Sequence, residues 1–288
     1  MVESKIGAFL RARRELVRPE EVGISDTRRR RVPGLRRDEL ALLAGISTEY
    51  YTRLEQGRDH NPSAQVLDAV ARALRLDDDA VAHLHQLASP GPRRRRARRP
   101  ERVPPSVERL LASWPNTPAL VEGRYLDVLA ANPLATALFP MFRPGANILR
   151  ASFLDETTRE LFGDWEAATA CAVSGLRALV GPDVDDPALT ELVGELSVKS
   201  ETFRRLWSRH DVRPQGGGGP HRLRHPLVGA LELHYDKFAI AGVDGQLLVI
   251  YQAEPGSPSE QALSLLASIA ADDSGPISAD PRRAARSR

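Results

Sequence analysis

The stretch LRRDELALLAGISTEYYTRLEQG, Leu35 to Gly57, decides how the first part of this 288-residue chain folds. Leu40, Leu43 and Ala44 fall at helical spacing on one face of a first short helix. Gly45 stands where that helix must stop, in a position that favours a left-handed backbone. Ser47 is placed to cap the next helix through its hydroxyl, with Ile46 before it as an apolar staple. Tyr51 and Leu54 turn the second helix back onto the first, which leaves Thr48, Glu49, Tyr50, Thr52 and Arg53 on the outer face. Two helices joined by ~3–4 residues around a Gly make a helix-turn-helix, whose second helix fits the DNA major groove. The competing reading is an ordinary αα-corner. The flanks weigh against it. Arg28 to Arg31 precede the stretch, Arg36 and Arg37 open its first helix, and Arg53 and Arg58 close its second, a basic surround suited to phosphates.

Outward from the motif the chain stays helical. Residues 4–16 carry Ile6, Phe9, Leu10 and Leu16 with basic residues largely opposite, and Pro19 ends that helix. Residues 17–34 read as a long loop holding the arginine run, which is either a solvated face or a phosphate or minor-groove contact. After the motif, Val66, Leu67, Val70, Ala71 and Leu74 form one apolar stripe. Asp77 to Asp79 give an acidic first turn to a fifth helix over 78–88. Residues 1–90 are thus expected to form a five-helix domain, and residues 91–105, rich in Pro and Arg, a linker.

The remainder has a different pattern. SVERLLASW, residues 121–131, residues 133–139, 155–180, 187–198 and 200–209 read in turn as helix, strand, short helix, long helix and two further helices. Strands follow at about 221–225, 229–236 and 246–253. Leu231, Leu233 and Tyr235 alternate with Glu232, His234 and Asp236, and LLVIYQA is apolar enough for a central strand. A helix over 258–270 closes the domain. Strands that come late and antiparallel predict an α+β domain over 106–272, with 273–288 a disordered tail.

Charge divides along the same line. Residues 1–105 carry 22 Lys and Arg against 15 Asp and Glu, whereas residues 106–276 carry 14 against 22. A basic front and an acidic rear suggest a nucleic-acid-binding module joined to a domain that does not touch nucleic acid. No run approaches the ~18 apolar residues of a membrane span, and the first residues lack a signal peptide's charged-then-apolar pattern. The single Cys171 excludes an internal disulfide framework and fits a reducing compartment. The expected setting is the cytoplasm, at the nucleoid, without membrane contact.

Several separate motifs carry a family likeness. LRRDELALLAGISTEYYTRLEQGRDHNPSAQVLDAVARALRL resembles the XRE, or repressor-like, helix-turn-helix regulators of actinobacteria. RYLDVLAANPLATALF, NILRASFLDETTRELFGDWE, ELSVKSETFRRLWSRHDV, RHPLVGALELHY and YQAEPGSPSEQALSLLA resemble, in this order, the ligand-binding domain of MmyB-like regulators. The resemblance implies a multidomain chain: an all-α, five-helix repressor-like DNA-binding domain, then a PAS-like α+β domain with an antiparallel sheet under helices. It implies a pocket for a small, lipophilic molecule, with a bound fatty acid as one candidate, and no other cofactor. One departure stands out. Many repressor-type relatives carry a small polar cap and a Gln at the start of the first motif helix, where this chain has Arg36 and Arg37. A Gln-mediated contact does not carry over, so both arginines are expected at phosphates.

On the second motif helix, Thr48, Glu49 and Tyr50 lie at the end that reaches base edges. Glu49 can accept from a cytosine amino group and Thr48 can meet a thymine methyl. Arg53 suits a phosphate or an i, i+4 pair with Glu49. With Arg36, Arg37, the capping Ser47 and Arg58, these complete the expected DNA-contacting set. The candidate ligand-contacting set is Arg150, Trp165, Arg177, Trp207, His210, His225, Leu231 and Leu233. For each a structural role competes: Arg150 and Arg177 as partners of Asp155 or Glu166, the histidines in internal hydrogen bonds, and the apolar groups as core. Cys171, among alanines with no local base, reads as a small packed thiol. No nucleophile–base pair, metal-ligand spacing or phosphate-binding Gly loop stands out, and Gly216 to Gly219 lacks a following helix. The expected protein is therefore not an enzyme. It is a DNA-binding regulator, partnered by a double-stranded operator, a small-molecule effector and a second copy of itself. The alternatives are a C-terminal domain that binds another protein and no ligand, or an enzyme carrying a DNA-binding head.

Overall fold

The computed structural model describes residues 4–24, 34–59, 61–88, 101–180, 186–213 and 218–273. The Arg28–Arg31 run, the arginines at 93–99 and residues 274–288 of the expected tail lie outside the described residues, as do Gly216 and Gly217 of the 216–219 loop.

The head is built from α1 (Lys5–Leu16), α2 (Arg37–Ala44), α3 (Thr48–Glu55), α4 (Ala64–Ala73) and α5 (Asp78–Ala88). Side-chain caps start three of them: Ser4 accepts from the Gly7 N–H, Ser47 from Tyr50, and Ser63 from Val66. Gly45 ends α2 at φ 68°, and its N–H closes onto Leu42. Phe9, Leu10, Leu35, Leu40, Tyr51, Leu54, Val70 and Leu84 fill the core of this unit and are essentially without solvent contact. Leu43, expected inward on α2, is instead exposed at 39%, because the helix buries Leu40, Ala41 and Ala44.

The second unit opens with α6 (Pro105–Ala112) and continues with β1 (Ala119–Glu122), β2 (Val128–Ala131) and α7 (Pro133–Leu138). Next come α8 (Ile148–Leu154), α9 (Glu156–Leu161), α10 (Trp165–Val180), α11 (Pro187–Lys199) and α12 (Glu201–Ser208). It ends with β3 (Gly219–His225), β4 (Gly229–Ala239), β5 (Leu247–Ala253) and α13 (Pro258–Asp273). The five strands form one antiparallel sheet in the order β2-β1-β5-β4-β3, so the apolar LLVIYQA strand is central. Strand alternation assigns the faces. Leu120, Leu223, Leu231, Leu233, Val249 and Tyr251 turn inward, into a core shared with α7, α10, α11, α12 and α13. Ala119 and Val121 turn to the other face, where Leu111, Val107 and Trp114 of α6 and its following residues pack.

Three expectations on this domain are corrected. The single strand over 121–131 is two strands. Leu126 takes a left-handed backbone, φ 64°, and its N–H bonds Gly123 O at 3.0 Å, which folds β2 back onto β1. The long helix over 155–180 breaks at residues 162–164. There Phe162 pairs with Leu223 and the Gly163 N–H donates to Arg222 O at 2.8 Å, so the backbone leaves its helical partners for strand β3. Cys171 is exposed rather than packed, with its Sγ 3.9 Å from Tyr235 Oη.

Candidate nucleic-acid interface and ligand site

The DNA-facing surface is set by how α3 is held. Glu55, at its last turn, has a fully buried side chain yet is an anion. Arg14 of α1 meets it with Nε at 2.9 Å from Oε2, and Arg37 of α2 with Nη2 at 2.7 Å from Oε1. Burial pushes the Glu55 carboxyl up, but hydrogen bonds and charge from Arg14 and Arg37 outweigh this and hold it below its ordinary value. Arg14 also donates to Leu35 O at 2.7 Å, so one guanidinium ties α1, α3 and the entry to α2 together. With Tyr51 and Leu54 buried, the opposite face of α3 is fixed outward. Ser47, Thr48, Glu49, Arg53 and Arg58 are exposed and Tyr50 is half-buried. Arg53 lies over the Tyr50 ring at 5.7 Å. Partial burial and a hydrogen bond to Asp59 push the Tyr50 phenol up.

The two arginines at the start of α2 also have partners inside the head. Arg37, expected at a phosphate, gives its Nε and Nη2 to Glu55, although the side chain stays 43% exposed. Arg36 occupies the cap position of α2, and its backbone N–H donates to Glu39 Oε2 at 2.7 Å. Both help hold α2 in place. Sequence spacing did not reveal the Arg14–Glu55–Arg37 cluster, because its members are 41 and 18 residues apart.

The candidate ligand-contacting residues do not converge on one site. Leu231 and Leu233 lie on the inner sheet face. His225 is structural: Nε2 bonds Ala137 O at 3.0 Å and Nδ1 accepts from the Leu227 N–H at 3.3 Å. Arg150 pairs with neither Asp155 nor Glu166 but with Glu195 of α11 at 2.7 Å. Trp165 donates to Ser152 O at 2.9 Å and stands edge-on to Phe153 under Arg159. Arg177, Trp207 and His210 gather where the domain meets the head: the Arg177 guanidinium covers the Trp207 ring at 3.9 Å and bonds His210 Nδ1 at 3.1 Å.

The inner sheet face instead presents a wall that the candidate set omits. His221 of β3 lies 5.4 Å from Phe162, 5.8 Å from Phe139 and from Tyr235, and 5.9 Å from Tyr251, on which it stacks. Its Nδ1 is buried without a hydrogen-bond partner. Burial, then the charge of Lys237, lowers the imidazole to about 4, so it is neutral near pH 7. Lys237 and Glu122 form a buried ion pair at 2.7 Å across the same face. Burial drives the Tyr251 phenol well up. An apolar wall with a neutral imidazole, two phenols and one internally compensated ion pair suits a lipophilic body with a small polar group. The signal for it was present: the alternation through Leu231, Leu233 and Tyr235 continues to Lys237, and His221 pairs opposite Leu233.

A helical head with an exposed second motif helix, joined to an α+β domain with a ring-lined inner face, defines a two-domain DNA-binding regulator. The family models agree. The one described as MmyB-like transcription regulator ligand binding domain matches residues 103–266, and the one described as helix-turn-helix domain matches residues 5–84. The chain belongs to the MmyB-like transcription regulators. No curated protein matches it. Among the described residues no helix is long and apolar enough to cross a membrane.

Proposed function

We propose that the chain is a sequence-specific regulator that binds its operator as a homodimer and responds to a small lipophilic effector, without catalysing a reaction. The exposed N-terminal half of α3 carries this reading, because Thr48 and Glu49 stand clear of the rest of the chain at the end that reaches base edges. Two copies suit a two-fold operator, and a DNA partner places the protein in the cytoplasm at the nucleoid. The domain boundaries proposed are 1–90 for the head and 106–272 for the sensor, with 91–105 as linker.

Operators selected from a random duplex pool provide the test. Thr48→Ala with Tyr50→Ala is expected to weaken the selected operator by roughly ten- to hundredfold per lost base contact while sparing non-specific DNA. Unchanged affinity in a gel shift, with an unchanged circular dichroism spectrum, defeats the assignment of these residues. Sedimentation showing a monomer both free and on the operator defeats the dimer.

For the sensor domain, the effector is proposed to lie against His221, Tyr235 and Tyr251, with a fatty acid or another lipophilic molecule as its class. Solvent extraction of the purified protein followed by mass spectrometry is expected to yield a stoichiometric small molecule, and His221→Leu to reduce it. Extracts empty from protein purified out of its own host, together with a stable protein complex there, favour a protein-binding role for this domain instead.

A further inference from the structure

The head and the sensor domain meet at a built seam. Val212, just after α12, is 5% exposed and belongs to the head's core, and Ala178 near the end of α10 packs against that core. Arg13 of α1 pairs with Asp211 at 2.6 Å, and Asp211 also pairs with Arg209 at 2.9 Å. The His210 ring stands edge-on to Phe9, which also meets the His83 ring of α5. His210 holds a left-handed backbone, φ 53°, a conformation that costs a non-glycine residue energy and persists only when its surroundings enforce it.

The same seam contains an imbalance. Arg177 is 6% exposed, and its Nε is buried without a hydrogen-bond partner. Its other nitrogens reach only Trp207 O and His210 Nδ1, both uncharged acceptors. Arg177 acts on His83 and His210, and the one carboxylate named as acting on it is Asp211, which already pairs with Arg13 and Arg209. Burial first, and the Arg177 charge next, keep His83 near 4 and His210 near 3, so both imidazoles are neutral. A buried cation with an unmade hydrogen bond is expensive, and this cost stands against the apolar and ion-pair contacts of the seam. The seam uses α1, α5, α10 and residues 207–213, and leaves Ser47, Thr48, Glu49 and Arg53 exposed. Docking therefore does not mask the DNA-reading face.

We infer that this seam is a latch: residues 207–213 and the end of α10 clamp the head at Phe9 and Arg13 in one orientation, and its opening frees the head without covering or uncovering α3. It supplies the regulation step of the function proposed above and rests on that reading. Helix α10 connects the two ends. Cys171 in its middle touches Tyr235 on the ligand wall, and Arg177, under two turns later, touches the seam. A ligand that displaces α10 at Tyr235 shifts Arg177 with it, because the helix moves as a rigid rod. Two heads held at fixed orientation match two half-sites, whereas freed heads must be aligned at entropic cost.

Electron-paramagnetic distance measurements on the full-length chain test this. Spin labels go on Leu42→Cys in the head and Val198→Cys in the sensor domain, both strongly exposed, with Cys171→Ser removing the native thiol. With the labelled chain diluted in excess unlabelled Cys171→Ser chain, so that each dimer carries one labelled copy, the latch predicts one narrow intrachain distance population for this background. It predicts a broad one after Val212→Asp, which places a charge in the seam while leaving the sensor core intact. Asp211→Asn with Arg13→Gln, both partly solvent-exposed, gives the same result more weakly and serves if Val212→Asp does not fold. A narrow, unshifted population in a folded variant overturns the latch. A gel shift on the same samples keeps the two readings apart. Retained operator binding with an unmoved distance distribution removes the latch alone, and absent operator binding in the unmutated chain removes the DNA-binding reading beneath it.

Discussion

Glu55→Ala is expected to destabilise the head by about 3–5 kcal/mol, the cost of removing one partner from a buried ion cluster. The side chain has no solvent contact, and its loss leaves the Arg14 guanidinium, 8% exposed, with only Leu35 O as a hydrogen-bond acceptor. Arg37 loses the same partner but reaches water, so the penalty falls mainly on Arg14. Against a domain stability of roughly 5–15 kcal/mol, this removes a large share. The pH dependence gives a second check. The folded Glu55 carboxyl is held below its ordinary value, so its contribution is complete above the unfolded pKa and disappears as pH falls through the folded one. The melting temperatures of Glu55→Ala and the unmodified head are therefore expected to differ widely at pH 7 and to converge in acid. Calorimetry across that range reads both effects. A difference at pH 7 worth under about 1 kcal/mol shows that the buried cluster adds little. The functional result follows directly, since α3 is anchored through this residue: operator binding should fail at temperatures where the unmodified protein still binds.

What the sequence made legible tracks how local the causes are. The helices of the head could be bounded from a few residues each: Gly45 at a forced left-handed stop, Ser47 as a cap, and the Val70-centred stripe. The antiparallel strands β4 and β5 were readable because alternation and a continuous apolar run are local patterns. The misreadings have distant causes. Residues 162–164 leave the helix because β3, some sixty residues later in the chain, offers Arg222 O and Leu223 as partners. The aromatic wall on the inner sheet face draws Phe139, Phe162, His221, Tyr235 and Tyr251 from four separate elements and the break before α10, so no window of sequence contains it. Arg177, Trp207 and His210 were expected at a ligand; the structure sets them beside Phe9 and near Arg13 of α1, which no local pattern reveals. The expected roles of Arg36 and Arg37 were drawn from the basic flank and from their standing where relatives carry a polar cap and a Gln. Arg14, in the last turn of α1, and Glu55, at the end of the motif's second helix, decide where Arg37 points.

Asn132→Ala carries the other large effect, and it falls on the α+β domain. This side chain is 3% exposed and uses all its main hydrogen-bonding directions on backbone. Its Nδ2 donates to Trp114 O at 2.9 Å and Thr117 O at 2.7 Å, while its Oδ1 accepts from the Ala119 N–H at 3.2 Å and the Ala135 N–H at 2.9 Å. One amide thus joins the residues after α6, the first residue of β1 and the N-terminus of α7. At about 1 kcal/mol for each lost bond, the substitution is expected to cost about 4 kcal/mol, with the unsatisfied groups adding more where water cannot reach them. Asn132→Asp separates the two halves of the knot. A carboxylate still caps α7 and accepts from Ala119, but it faces the carbonyls of Trp114 and Thr117 with no proton to give. If the accepted pair dominates, Asp retains most of the stability at neutral pH; if the donated pair dominates, Asp is as damaging as Ala. Denaturant unfolding of the three proteins reads the difference, and an Asn132→Ala loss under about 1 kcal/mol removes Asn132 as the organiser of this corner. The consequence reaches the ligand wall through α7, whose end delivers Phe139 to His221 and Tyr251. Asn132→Ala is accordingly expected to lower the amount of extractable small molecule along with the melting temperature, while operator binding by the head, whose core does not include α7, survives below the sensor domain's own transition.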